Sequence, residues 1–276
     1  MSERFAFING GIVPLETACV SILDRGLMYG DGLFETIRVV GGKAVRLERH
    51  LARLHAGAHI LRFGESLRGI DFASAVASVC EANGLTDARV RLTVTRGLAE
   101  GPGRLLPSGA TSPTVAVTAD PLPAANLDPA RVVISSIRRD EKSPLCGVKS
   151  LNYLPGILAR AEAADAGADD AILLNTQGNV AETTIGNIFL VKGRELITPS
   201  LDQGPLPGTV REAVLALAPD LGLNVIEAPL SPDELLEVDE LFLTNAIQLA
   251  RPIGQVGGTA VGNGKGEVCG GLLTLL

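Results

Sequence analysis

Alternating apolar and polar positions over Arg4–Val13 (RFAFINGGIV) predict a strand that turns at Asn9-Gly10-Gly11. Leu33–Val40 (LFETIRVV) predicts a second strand, with Gly41-Gly42 as a tight hairpin into Lys43–Arg46. The period then changes. Leu47, Leu51, Leu54, Ala58 and Leu61 form one apolar stripe, which predicts a helix over Arg46–Phe63. Asp71–Asn83 reads as another helix with Gly84 as its C-cap, and Arg89–Thr95 and Thr114–Thr118 as strands.

Two prolines in Ala119–Asn126 (ADPLPAAN) mark a linker. Beyond it, Arg131–Ser135, Asp170–Asn175, Asn187–Lys192, Glu195–Thr198 and Glu240–Thr244 read as strands. Leu154–Ala166 and Val210–Leu221 read as helices, the first capped near Gly167. The pattern predicts an α+β fold of two mixed domains, residues 1–118 and 127–276, joined by 119–126.

Composition narrows the class. Of 276 residues, 46% are hydrophobic and 20% charged, enough to bury a sizeable core. A net charge of −7, no Trp, two Tyr and seven Phe disfavour a nucleic-acid surface or a base-stacking platform. Cys19, Cys80, Cys146 and Cys269 lie far apart and read as free thiols. The start lacks a basic segment with an apolar run, and no stretch is long enough to cross a bilayer, so a soluble cytoplasmic protein is expected.

Several residues are candidates for chemistry, each with a plainer alternative. Pro207-Gly208 precede a helix whose first amides, at Thr209 and Val210, suit an anion; an ordinary helix start is the alternative. Asn245-Ala246 follow an apolar strand, where ligands of α/β-type sheets gather, or simply form a turn. Arg49 lies off the apolar stripe and has the planar fork to grip a phosphate, or is solvated. Lys149, between a loop and an apolar helix, is a nucleophilic amine or an exposed lysine. Glu182, before an apolar strand, pairs with a buried cation or is one more turn residue. His50, His55 and His59 share a helix but have no third ligand nearby, so no metal is expected. Gly262-Asn263-Gly264-Lys265-Gly266 lacks the flanking strand and helix of a dinucleotide site and reads as a loop.

Taken together and in order, LDRGLMYGDGLFETIRV (Leu23–Val39), RLERHLARL (Arg46–Leu54), VKSLNYLPGILARAEA (Val148–Ala163), VAETTIGNIFLV (Val180–Val191), LPGTVRE (Leu206–Glu212) and DELFLTNAIQLARPI (Asp239–Ile253) resemble the class IV aminotransferase family. The resemblance covers nearly the whole chain. It implies fold type IV, two domains with the active site between them, pyridoxal 5′-phosphate as cofactor and a homodimer. It implies that Lys149 carries the cofactor as a Schiff base and shuttles the substrate proton. Glu182 would face the pyridine nitrogen, and Tyr153 the phenolic oxygen. Arg49, Thr209, Val210, Asn245 and Ala246 would hold the phosphate.

Branched-chain aminotransferases, D-amino-acid aminotransferases and 4-amino-4-deoxychorismate lyases share this family. Thr36, where branched-chain enzymes carry glycine, and Thr244-Asn245-Ala246-Ile247…Arg251-Pro252 resemble the lyases. An Arg-x-His carboxylate trap of the D-amino-acid enzymes is not evident in Thr95–Pro107. Pyruvate elimination giving 4-aminobenzoate is the leading expectation, with transfer between a D-amino acid (or a branched-chain amino acid or amine) and a 2-oxo acid as the alternative. Tyr29, Phe34, Thr36, Arg91 and Arg104 are the candidate substrate contacts, Tyr29 and Arg104 across a dimer interface. Two other readings stay open: a degenerate member that binds the cofactor without turnover, and a plain sugar- or nucleotide-phosphate binder.

Overall fold

The computed structural model describes residues 3–100, 104–262 and 266–276. The chain divides into two units: Met1–Ala124 with Val148–Asn152, and Ala125–Gly147 with Tyr153–Leu276.

In the first unit, β1 (Phe5–Ile8), β2 (Gly11–Pro14), β3 (Gly32–Val40), β4 (Lys43–Ala44), β5 (Ala88–Glu100) and β6 (Ser108–Pro121) form an antiparallel sheet ordered β2-β1-β6-β5-β3-β4. Asn9 (φ 47°) and Gly10 (φ 99°) take the two left-handed positions of the β1–β2 hairpin. Its helices are α1 (Arg25–Tyr29), α2 (Leu47–Ile60) and α3 (Phe72–Ala82). Leu33, Ile37 and Val39 of β3 and Val90, Leu92 and Val94 of β5 bury in one core with Leu54 and Ala58 of α2 and Val76 and Val79 of α3. The two-residue strand period therefore leaves Phe34, Thr36, Arg38, Arg89 and Arg91 on the opposite face.

Some boundaries differ from the expectation. Helix α2 stops at Ile60, short of Phe63, because Arg62 turns left-handed at φ 57°. Ala119–Pro121 is strand, not linker: it completes β6 opposite Ala88–Val90, and the units divide after Ala124. The lysine segment changes domain. Val148–Asn152 belongs to the first unit, although the expected boundary put it in the second. Strand β4 covers only Val39 and Val40 of the β3 edge, so the start of that edge is open to this segment.

The second unit contains β7 (Ala130–Arg139), β8 (Asp170–Asn175), β9 (Val180–Thr183), β10 (Asn187–Lys192), β11 (Glu195–Pro199), β12 (Asn224–Ala228), β13 (Glu240–Asn245), β14 (Leu249–Val256) and β15 (Thr259–Ala260). They are ordered β12-β11-β10-β13-β14-β7-β8-β9, with β15 beside β14. The β7–β8, β7–β14 and β11–β12 pairs are parallel and the others antiparallel. Helix α4 (Leu154–Asp165) packs Ala159 and Ala163 onto Ala171 and Leu173 of β8. Helices α5 (Thr209–Leu217) and α6 (Glu267–Leu275) bury Val210, Val214 and Leu272 with Phe189 and Phe242. Of the predicted 262–266 loop, residues 263–265 lie outside the described residues, and Gly266 N-caps α6. No helix among the described residues is long and apolar enough to cross a membrane.

Candidate active site

The first unit holds Lys149 against β3. The amide of Phe34 donates to the Lys149 carbonyl (3.0 Å) and that of Leu151 to Gly32 (3.0 Å), so the segment is pinned on both sides of the lysine. Lys149 Nζ stands 4.4 Å from the centre of the Phe34 ring. The Arg91 guanidinium stands 4.0 Å from the centre of the same ring. Register explains the meeting: Thr36 pairs directly with Arg91, and Arg38 with Arg89. Phe34, Thr36, Arg91 and Lys149 are thus gathered on one sheet face, together with Arg38, which the sequence reading passed over. Its signal was present, since Phe34, Thr36 and Arg38 are alternate residues of one strand.

Arg49 departs from its expected place, because it lies on the exposed side of α2. One turn on, Arg53 is the inward arginine: Nε donates to Glu35 Oε1 (2.9 Å) and Nη2 to Glu35 Oε2 (2.6 Å). His50 Nδ1 also meets Glu35 Oε2, at 2.6 Å. The stripe of leucines hid this cluster, because Glu35 sits at a core position of β3. His50 is engaged there and His55 packs against Phe72 (5.8 Å between centroids). No group of metal-ligating side chains occurs among the described residues.

Burial alone would push the Glu35 carboxyl up, but hydrogen bonds from His50 and Arg53, with their charges, bring it below its ordinary value of 4.5. The folded-state value is depressed, so this stabilisation is full above pH 4.5 and is lost as pH falls through the folded-state value. Glu35→Gln is expected to cost roughly 3 kcal/mol at neutral pH, since it leaves the inward Arg53 guanidinium with a neutral partner. It should also flatten the acid limb of a stability-against-pH curve followed by denaturant melts. An acid limb as steep as the parent's would contradict this.

Tyr29 and Arg104 are connected through Arg25. Its guanidinium lies 4.9 Å from the centre of the Tyr29 ring and donates to the carbonyls of Arg104 (2.8 Å) and Leu105 (2.7 Å). Asp31 bridges Arg25 (2.9 Å) and Arg96 (2.8 Å), which fixes this arrangement. The Arg104 side chain itself is exposed.

The second unit holds Glu182 in β9, at 7% exposure. The Leu206 amide donates to Glu182 Oε2 (2.9 Å), and Arg139 Nε lies 3.1 Å from Oε1. Arg139 is clamped in turn, donating to the carbonyls of Gly204 (2.8 Å) and Cys146 (2.7 Å). Burial would lower the Arg139 pKa, but the Glu182 charge raises it above the ordinary value. Glu182 therefore pairs with a cation, the half-buried Arg139, which lies beyond the predicted strand end at Ser135 because β7 runs on to Arg139.

Gly208 caps α5 without a side chain, so first-turn amides must find acceptors outside the helix. A Cβ at Gly208 would lie 2.0 Å from Asn187 Oδ1, so the close approach of Asn187 requires glycine. Asn187 Nδ2 donates to the Leu206 carbonyl (2.8 Å), and Asn187 pairs in register with Thr244. Thr244 shares the sheet face of Phe242, which packs with Val210 of α5. Its Oγ1 is buried with no hydrogen-bond partner. The Asn245 side chain is committed to its own turn, accepting from Ile247 (3.0 Å) and Gln248 (2.9 Å). Asn187 thus links the start of α5 to the end of β13, which Asn245 terminates and Ala246 follows. Tyr153 is half-buried at the start of α4 and donates to the Thr184 carbonyl at 3.3 Å.

The family profile described as amino-transferase class IV matches residues 32–256. A putative branched-chain-amino-acid aminotransferase of Methanocaldococcus jannaschii is 38% identical over 95% of this chain and 91% of its own length. The crystal structure of the Escherichia coli branched-chain amino acid aminotransferase superposes with a TM-score of 0.90 at 30% identity, covering 99% of this chain and 93% of that one. That of the 4-amino-4-deoxychorismate lyase from Pseudomonas aeruginosa superposes with a TM-score of 0.83 at 31% identity, covering 98% and 97%.

Proposed function

Because the chain belongs to the class IV aminotransferase family, fold type IV enzymes that use pyridoxal phosphate, we propose that it is a 4-amino-4-deoxychorismate lyase. The observation that carries the choice is the face around Lys149. Thr36, Arg38 and Arg91 surround Phe34 there. Such a face suits carboxylates, while a branched alkyl side chain gains only from apolar surroundings. Aminodeoxychorismate carries two carboxylates. Transamination is the second reading, favoured by the 38% identity to the archaeal relative.

The residues suit the cofactor. An orphaned Thr244 hydroxyl beside an α5 start without a side-chain cap fits a phosphate, and Glu182 fits a protonated ring nitrogen. We assign the phosphate's arginine to the inward Arg53 rather than to the exposed Arg49. Pyridoxal phosphate, when bound, supplies the electron sink that lets the carbon bearing the substrate nitrogen lose a proton. Lys149 Nζ attaches the cofactor and takes that proton. In the lyase reading the enolpyruvyl C–O bond then breaks, the departing group gains a proton as pyruvate, and the ring becomes aromatic. Arg91 and Arg38 bind the carboxylates, and Thr36 supplies a hydroxyl on the same face. Exposed Ile22, Leu27, Leu105 and Leu106 on the first unit support a homodimer, in which a second copy would cover them.

Incubation with aminodeoxychorismate should release 4-aminobenzoate and pyruvate in equal amounts. Incubation with D- or L-amino acids plus 2-oxoglutarate or pyruvate should give little new amino acid. The reverse pattern would overturn the lyase assignment in favour of transamination.

A further inference from the structure

We propose that Thr184 and Asp170 form a positioning pair that sets the Tyr153 phenol, an inference resting on the reading of Tyr153 as the residue beside the cofactor ring. Two hydrogen bonds, one to its main chain and one from its side chain, join the three residues at Thr184. Tyr153 donates its O–H to the Thr184 carbonyl (3.3 Å), and the Thr184 hydroxyl donates to Asp170 Oδ1. Arg160 closes the network from α4, donating to Thr184 Oγ1 (3.3 Å) and lying 2.8 Å from Asp170 Oδ1. The Ala171 amide donates to the same oxygen (2.8 Å), and the Thr184 amide to the Ala171 carbonyl (3.1 Å).

Helix α4 therefore grips Thr184 twice, through Tyr153 at its N-cap and Arg160 two turns later. Strand β8 holds the same residue through Asp170 and Ala171. Asp170 is 2% exposed and its Oδ2 has no hydrogen-bond partner. A buried carboxylate with one oxygen unsatisfied is expensive where simple packing would serve. Its effect is to orient the Thr184 peptide, whose carbonyl is the acceptor for the phenol. Thr184 also follows Glu182 by two residues in the same chain segment, so one anchor fixes the phenol acceptor and the end of the strand carrying the carboxylate.

The composition makes this testable without cofactor. The chain has no Trp and only Tyr29 and Tyr153 as phenols, so Tyr29→Phe leaves Tyr153 as the single phenol seen by ultraviolet titration. Arg139 at the end of β7 interacts with the Tyr153 phenol and also faces Glu182 of β9 and the Cys146 thiol, while Arg160 on α4 and Asp170 on β8 meet at the Thr184 hydroxyl. A hydrogen bond donated by the phenol stabilises its neutral form. Loosening the acceptor should let Tyr153 ionise more readily, with an ionisation constant raised about three- to tenfold.

In the cofactor-free Tyr29→Phe protein, Thr184→Val is expected to show that rise, Asp170→Asn a rise in the same direction, and Thr184→Ser a curve like the parent's. Ionisation constants within twofold of the parent in Thr184→Val would overturn the proposal. If Thr184→Val does not fold, an unchanged curve in Asp170→Asn would overturn it. The parent reading of Tyr153 fails separately, if Tyr153→Phe leaves the visible spectrum of the cofactor-loaded protein unchanged.

Discussion

Lys149→Ala is expected to lower turnover by at least about 10³-fold, because the proposed reaction asks one amine both to attach the cofactor and to move the proton. The fold should survive. The Lys149 side chain contributes a contact with the Phe34 ring, a type of interaction worth about 0.5–1 kcal/mol. The segment itself is held by backbone hydrogen bonds to Phe34 and Gly32, which alanine keeps. Cofactor-free protein should therefore melt within a few degrees of the parent. Steady-state activity near the parent's would remove Lys149 from the mechanism.

Glu182→Gln is expected to slow the reaction by about 10²-fold or more while cofactor still binds. Glutamine keeps the shape, and its amide oxygen can still accept from Leu206, but it gives up the charge that meets a protonated ring nitrogen. Arg139 then loses its counter-ion while remaining clamped by the carbonyls of Gly204 and Cys146. Cofactor affinity and turnover, measured on the same preparation, separate the two effects. A rate within a few-fold of the parent, with cofactor bound, would mean that Glu182 does not support the ring charge.

The parts of the fold legible in the sequence were those with clean periodicity. The leucine stripe of α2 and the alternation of β3 and β5 fall where the pattern put them. Helix α6 was missed because Gly270-Gly271 lower helix propensity in its middle, where packing of Cys269 and Leu272 overrides it. Strand β14 was missed because Pro252 and Gly254 interrupt the run; a register shift between Ile253 and Gln255 accommodates it. Neither the buried Glu35 nor the half-buried Arg139 could be recognised as half of an ion pair, since pairing with Arg53 or Glu182 is a property of register and tertiary contact, not of local spacing. Lys149 was singled out by its sequence context. Its attachment to the first unit depended on an open strand edge that no local pattern reveals.

Borohydride reduction of the pyridoxal-phosphate-loaded protein, followed by peptide mapping, tests the central assignment. The chain has five candidate lysines, Lys43, Lys142, Lys149, Lys192 and Lys265. A stoichiometric pyridoxyl label is expected on the peptide containing Lys149 and on no other. Stoichiometric label on another lysine, or cofactor bound with none attached at Lys149, would contradict it.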